Sequence, residues 1–169
     1  VARRTAQGGL RGGEAEQPGA GPYPLSEPET RAVADFMLAH PNIAGSQHYH
    51  TFSGVILRPS SRRADADLDP ADLRRYQVLG DIGEAETGYR TVSLYHEFTE
   101  DKKKLYPGML IDWAYDHLGL MTFSTELWSV GLHLGLHVDN PLDYYFRHSR
   151  PPADDLKLLA YVDDELGGV

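Results

Sequence analysis

Leu120-Met121-Thr122-Phe123-Ser124-Thr125-Glu126-Leu127 is the stretch on which the fold turns. Its side chains alternate with the period of two that marks a strand. Leu120, Thr122, Ser124 and Glu126 therefore share one face. Immediately before it, Asp112 to Leu118 predicts a short helix closed by Gly119, a residue that accepts the left-handed conformation of a helix end. A helix running straight into a strand is the first sign of mixed architecture.

The same alternation recurs outward. Tyr89-Arg90-Thr91-Val92-Ser93-Leu94-Tyr95-His96-Glu97-Phe98 fits either a strand or an irregular surface segment, and Lys102 to Lys104 read as solvated. Asp69-Pro70 begins a helix whose apolar members are Leu73, Tyr76, Val78 and Leu79. Residues 60–69 form a charged loop. Ile43 to Leu57 is extended: Gln47 to Ser53 mixes polar and aromatic side chains, Val55-Ile56-Leu57 has the character of a buried strand, and Pro59 ends the run. Ser26-Glu27-Pro28-Glu29 has the form of a capping box, with Ser26 as cap and Glu29 reaching back. Val33, Phe36, Met37 and His40 then keep helical spacing until Pro41. Residues 128–151 are loop-rich, and Pro152 to Leu166 predicts an amphipathic helix. Interleaved helices and strands predict an α/β fold, a mixed central sheet flanked by helices.

Composition narrows the function. The 169 residues carry 16 Lys and Arg against 25 Asp and Glu, a net charge of −9. With a pI near 5.3 and no basic block, nucleic acid is not an expected partner, because phosphate neutralisation needs clustered cations. Apolar runs are too short for a membrane helix, so no membrane partner is expected. There is no Cys, which excludes disulfides and thiolate metal sites. Residues 1–21 hold six glycines and almost no large apolar side chain, and are expected to be disordered. Residues 22–169 are expected to form the folded part. The chain opens on Val1 and closes on Leu166-Gly167-Gly168-Val169, which reads as a piece of a larger protein.

Strand ends are where α/β proteins collect their chemistry. His50 with Ser53, and Glu126, are polar groups at such ends. An imidazole is a common zinc ligand, and a carboxylate beside a metal can take a proton from bound water. The plainer alternative for each is a satisfied polar residue at a strand end.

Longer motifs carry more. His50-Thr51-Phe52-Ser53-Gly54-Val55-Ile56-Leu57-Arg58-Pro59 resembles the segment of carboxypeptidase A-like zinc metallocarboxypeptidases that holds their third zinc ligand. Gly21-Pro22-Tyr23-Pro24-Leu25-Ser26-Glu27-Pro28-Glu29-Thr30 is similar to the family's stretch before the preceding helix. Ile111-Asp112-Trp113-Ala114-Tyr115 is similar to its Asp-Trp element, and Thr122-Phe123-Ser124-Thr125-Glu126-Leu127 to the strand with its catalytic Glu. These four occur in family order over about residues 20–130, with the family's gap of fourteen between Asp112 and Glu126. The resemblance implies an incomplete zinc carboxypeptidase-like fold, hydrolysis of a C-terminal peptide bond by zinc-activated water, and a peptide or protein C-terminus as substrate. His50 would be a zinc ligand and Glu126 the general base. Tyr106 falls where the mobile active-site tyrosine is expected, at a shorter spacing to Asp112 than in the family's digestive members. Ile111 would floor the specificity pocket and favour an apolar or aromatic C-terminal side chain. The resemblance also implies an extracellular or periplasmic setting.

The family's other elements are missing from the sequence. None of the eight histidines is followed three residues later by Glu, so the His-x-x-Glu that supplies the first two zinc ligands is absent. Asn42 and Asn140 are the only asparagines and neither precedes Arg, so the Asn-Arg carboxylate clamp is absent too. Catalytic zinc takes three protein ligands, and losing an oxyanion donor costs about 3 kcal/mol of transition-state stabilisation. The isolated chain is therefore expected to be inactive, its partner being the missing N-terminal half of the domain, and His50 alone is not expected to retain zinc. Two alternatives stand beside this: a non-catalytic peptide-binding relic of the fold, and an unrelated α/β interaction module. Three smaller possibilities are chelation by His48 with His50, by His133 with His137, and calcium at Asp65, Asp67 and Asp69 or at Asp154 and Asp155. A serine hydrolase lacks its Gly-x-Ser-x-Gly elbow.

Overall fold

The computed structural model describes residues 21–99, 108–136 and 150–168, together with the backbone of residues 3–4 and 10–11. Those two dipeptides, β1 (Arg3–Arg4) and β2 (Leu10–Arg11), pair antiparallel. Then follow α1 (Pro28–Ala39), β3 (Gly45–His50), β4 (Val55–Arg58), α2 (Pro70–Thr87), β5 (Arg90–Ser93), α3 (Leu110–Leu118), β6 (Met121–Glu126), α4 (Val130–His133) and α5 (Pro152–Glu165). β3, β6, β4 and β5 form a four-stranded mixed sheet in that order. Met121 N–H bonds Ala44 O at 3.1 Å and Leu127 N–H bonds His50 O at 2.7 Å. Both chains advance six residues between these bonds, so β3 and β6 run parallel. β6 is central, and Thr122 to Thr125 are buried on both faces, as an interior strand requires.

Local chemistry explains the helix limits. Asp69 caps α2, its carboxylate accepting the Ala71 N–H at 2.7 Å, and Gly88 ends it at φ 72°. Gly119 ends α3 at φ 68°. The Ser26 capping box does not form. α1 starts at Pro28 with Glu27 in the cap position and no side-chain cap bond, and the Ser26 hydroxyl donates to Glu27 Oε1 at 2.8 Å. The Ser26 N–H, which Glu29 would reach back to, is instead given to Tyr23 O at 3.1 Å. The residues 89–98 divide: β5 is followed by one wide turn, Leu94–Phe98, closed by Thr99 N–H to Leu94 O at 2.8 Å.

The chain forms two compact units, residues 1–48 with 56–124, and residues 49–55 with 125–169. In the first, Tyr76 is wholly buried with Ile56 and Phe123. Its ring meets Phe123 at 5.3 Å and Tyr115 at 5.5 Å, both edge-on, the arrangement aromatic quadrupoles favour. Its hydroxyl accepts the Thr122 N–H at 3.3 Å, which satisfies the buried phenol. A second cluster joins Met37, Ala114 and Leu120. The expected apolar stripes are only partly buried. α1 uses Ala34 and Met37 and leaves Val33 and Phe36 exposed; α2 uses Tyr76 and Gly80 and leaves Val78 and Leu79 exposed. Gly80 matters because Thr91 lies against it: an added Cβ would come within 2.7 Å of Thr91 Cγ2. Close approach of helix to strand, not side-chain bulk, sets that contact. No helix among the described residues is long and apolar enough to cross a membrane.

Candidate functional site

The parallel ladder brings the two leading candidates together. β3 ends at His50 and β6 at Glu126, and the Leu127 N–H to His50 O bond lies at that shared end. His50 is exposed and Glu126 half-buried. Burial pushes the Glu126 carboxyl above its usual range, while a charge on His50 draws it back down. Among the described residues no hydrogen bond reaches the Glu126 carboxylate. An acid that is partly desolvated, unengaged and beside an imidazole is equipped to hold and release a proton.

The surrounding turn fixes the Glu126 backbone. Gly54 N–H bonds Glu126 O at 2.9 Å and Ser53 N–H bonds Trp128 O at 3.1 Å. Gly54 has φ +67°, and a Cβ there would stand 2.5 Å from Leu132 Cδ1 and 3.1 Å from Ser129 Cβ. Glycine is needed on both counts, for its backbone and for its lack of a side chain. Trp128 takes φ 62° without being glycine, a strained conformation of the kind that clusters at ligand sites. Its half-exposed ring lies 6.2 Å from that of His133, which meets Tyr161 of α5 at 5.3 Å. Among the described residues the buried Ser53 hydroxyl has no hydrogen-bond partner.

Ile111 belongs to the other compact unit, where it is buried in the first turn of α3. Tyr106 lies outside the described residues, as does His137. The smaller alternatives have local explanations. His48 Nε2 lies 2.9 Å from Ser46 Oγ. Asp65 is held bidentately by Arg58 at 2.8 and 2.6 Å, which keeps its carboxyl below the usual range, and Asp69 is spent on capping α2.

Asp112 has no role in the sequence reading beyond its motif, yet its carboxylate is closely engaged by Ser61. It is buried and receives the Ser61 N–H on both oxygens, at 3.1 and 3.2 Å, and the Ser61 hydroxyl as well. Burial raises its pKa and the Ser61 bonds partly oppose that. An acid in the first turn of a strongly amphipathic helix was the available signal.

A family model for zinc carboxypeptidase matches residues 4–145. The chain belongs to the zinc carboxypeptidase family. It is 33% identical over 115 residues to carboxypeptidase A5 of Homo sapiens, covering 66% of this chain and 25% of that protein. It is 34% identical over 112 residues to mast cell carboxypeptidase A of Homo sapiens, covering 63% of this chain and 25% of that protein. The crystal structure of thrombin activatable fibrinolysis inhibitor (TAFI) matches at 29% identity and TM-score 0.45, over 64% of this chain and 27% of that one. The chain thus spans about a quarter of the length of the curated relatives it matches. Zinc carboxypeptidases are zinc-dependent by definition, but the donors among the described residues do not complete a zinc site. Among the described residues no group of three or more His, Asp or Glu is placed to hold a metal ion. One imidazole and one carboxylate fall short of the usual three protein ligands.

Proposed function

We propose that this chain is a portion of a zinc carboxypeptidase domain that contributes one zinc ligand, His50, and the proton-handling carboxylate, Glu126, to removal of a C-terminal residue from a peptide. The observation that carries this reading is the parallel end of β3 and β6, which sets an exposed imidazole beside a desolvated, unengaged carboxylate in a chain of this family. Glu126 would take a proton from water and return it to the leaving amine. Ile111 would floor the pocket for the C-terminal side chain and favour an apolar or aromatic one. Tyr106 would join the site from the segment between the wide turn and α3. The remaining ligands and the carboxylate clamp would come from residues outside this chain, so the 169 residues alone would neither keep zinc nor turn over substrate.

Zinc titration by calorimetry, with wild type and His50→Ala, tests this together with hydrolysis of a peptide ending in phenylalanine. Weak binding that disappears in His50→Ala, with no turnover, is expected. Tight stoichiometric zinc that survives His50→Ala would sink the assignment of His50, and turnover by the wild-type chain would sink the claim that it is incomplete.

A further inference from the structure

The loop after β4 is fastened to α3 by two rungs. The inner one is the Ser61–Asp112 pair, in which one residue supplies both an N–H and a hydroxyl to a carboxylate that is 6% exposed. The outer one, one helical turn further on, joins the Arg63 guanidinium to Asp116. Asp112 and Asp116 are four residues apart and share a helix face. The bend between the rungs is set locally, since the Ser60 hydroxyl oxygen accepts the N–H groups of Arg62 at 3.0 Å and Arg63 at 3.2 Å. Beside Asp112 stands Ile111, 2% exposed, whose carbonyl accepts the Thr122 hydroxyl at 2.9 Å. The first turn of α3 is therefore gripped twice, by the loop through its carboxylate and by β6 through its carbonyl.

We propose that Asp112 is a positioning residue: its clasp on Ser61 fixes where the Ile111 side chain stands, and through Ile111 it sets which C-terminal side chain is admitted. The inference rests on Ile111 being the pocket floor. Burying a carboxylate is a poor way to gain stability, because an apolar residue of similar volume commonly does as well. What it does supply is position. A slip of one residue in the loop would withdraw the Ser61 N–H and hydroxyl together and strand a buried charge, so one register is selected.

The test uses the full chain labelled at the δ1 methyls of its four isoleucines, Ile43, Ile56, Ile82 and Ile111. Asp112→Asn keeps an acceptor for the Ser61 N–H and loses one for the hydroxyl. Ser61→Ala removes the hydroxyl alone. Both should disturb the fold less than Asp112→Ala. Each is expected to shift the Ile111 methyl resonance while those of Ile43 and Ile82 stay in place, and to speed Ser61 amide exchange about tenfold, the equivalent of one weakened bond. Each should also change the ratio of affinities for N-acetyl-L-phenylalanine and N-acetyl-L-leucine by roughly threefold or more, a readout that general loosening would not move. An unmoved Ile111 methyl with an unchanged ratio overturns the proposal. So does an equal shift of all four methyls. If Asp112→Asn moves only the Ile111 methyl and leaves the affinity ratio unchanged, the pocket reading falls and the clasp stands.

Discussion

Asp112 and Glu126 are both carboxylates whose proton affinity is raised by burial, and they differ in everything else. Asp112 is answered by three contacts from Ser61 and lies on a helix that packs into the core. Glu126 is half-buried at a strand end, unbonded among the described residues, and opposed only by the charge of His50. The difference separates structure from chemistry. A buried acid whose lone pairs are taken cannot accept a substrate proton without breaking the fold, whereas one left unengaged can do so with little disturbance. Desolvation alone does not make an acid available for proton transfer; its lone pairs must also be unengaged.

The sharpest way to break this contrast is Asp112→Ala, which strands the Ser61 N–H and hydroxyl. It should lower the urea-measured unfolding free energy by about 3 kcal/mol. A loss below half of that would mean the Ser61 contacts are not structural. Next comes Gly54→Ala, which forces a side chain into a left-handed backbone and against Leu132; about 2 kcal/mol is expected, with displaced resonances for Glu126. Glu126→Gln should sit at the other extreme, within about 0.5 kcal/mol of wild type at neutral pH or slightly above it, because it removes a charge that folding desolvates. Destabilisation comparable to Asp112→Ala would show that Glu126 is structural after all.

The pH dependence sharpens the same point. A carboxyl whose pKa is higher folded than unfolded weakens the fold at pH above both values. That penalty lifts as pH falls through the folded value toward the ordinary 4.5 of Glu126. Wild type should therefore gain on Glu126→Gln as pH is lowered through that window, and equilibrium denaturation at stepped pH reads it. Asp65 has the opposite sign, since Arg58 lowers its pKa: its contribution is present above 3.8 and is lost as pH falls below it. The smallest effect is at His50→Ala, which removes the opposing charge and should raise the Glu126 titration midpoint in carboxyl NMR. An unchanged midpoint would break the coupling between the two strand ends.

Much of this was legible in the sequence. The β6 alternation, the Gly119 stop, the Asp69-Pro70 start and the α/β arrangement follow from periodicity and caps, which are local. His50 and Glu126 were reachable because the motif around each is contiguous. What escaped was relational. Val78 and Leu79 are apolar at helical spacing yet exposed, since α2 docks on β5 through the small Gly80 against Thr91, and spacing does not announce which edge of a helix is used. Asp112 looked like a motif letter because its partner is 51 residues away. The Ser26 box failed because the Ser26 N–H is given to Tyr23 O, a turn that the motif does not announce.

The ladder between β3 and β6 has one more consequence, and it concerns inheritance. His50 and Glu126 are separated by a long stretch of gene but are adjacent through two hydrogen-bonded strands running level. Insertions and deletions in the loops between them leave that adjacency untouched, while a one-residue slip within either strand turns the side chain to the other face. Such a pair does not degrade by degrees. Changes in loop length leave it whole, and a single one-residue slip removes it.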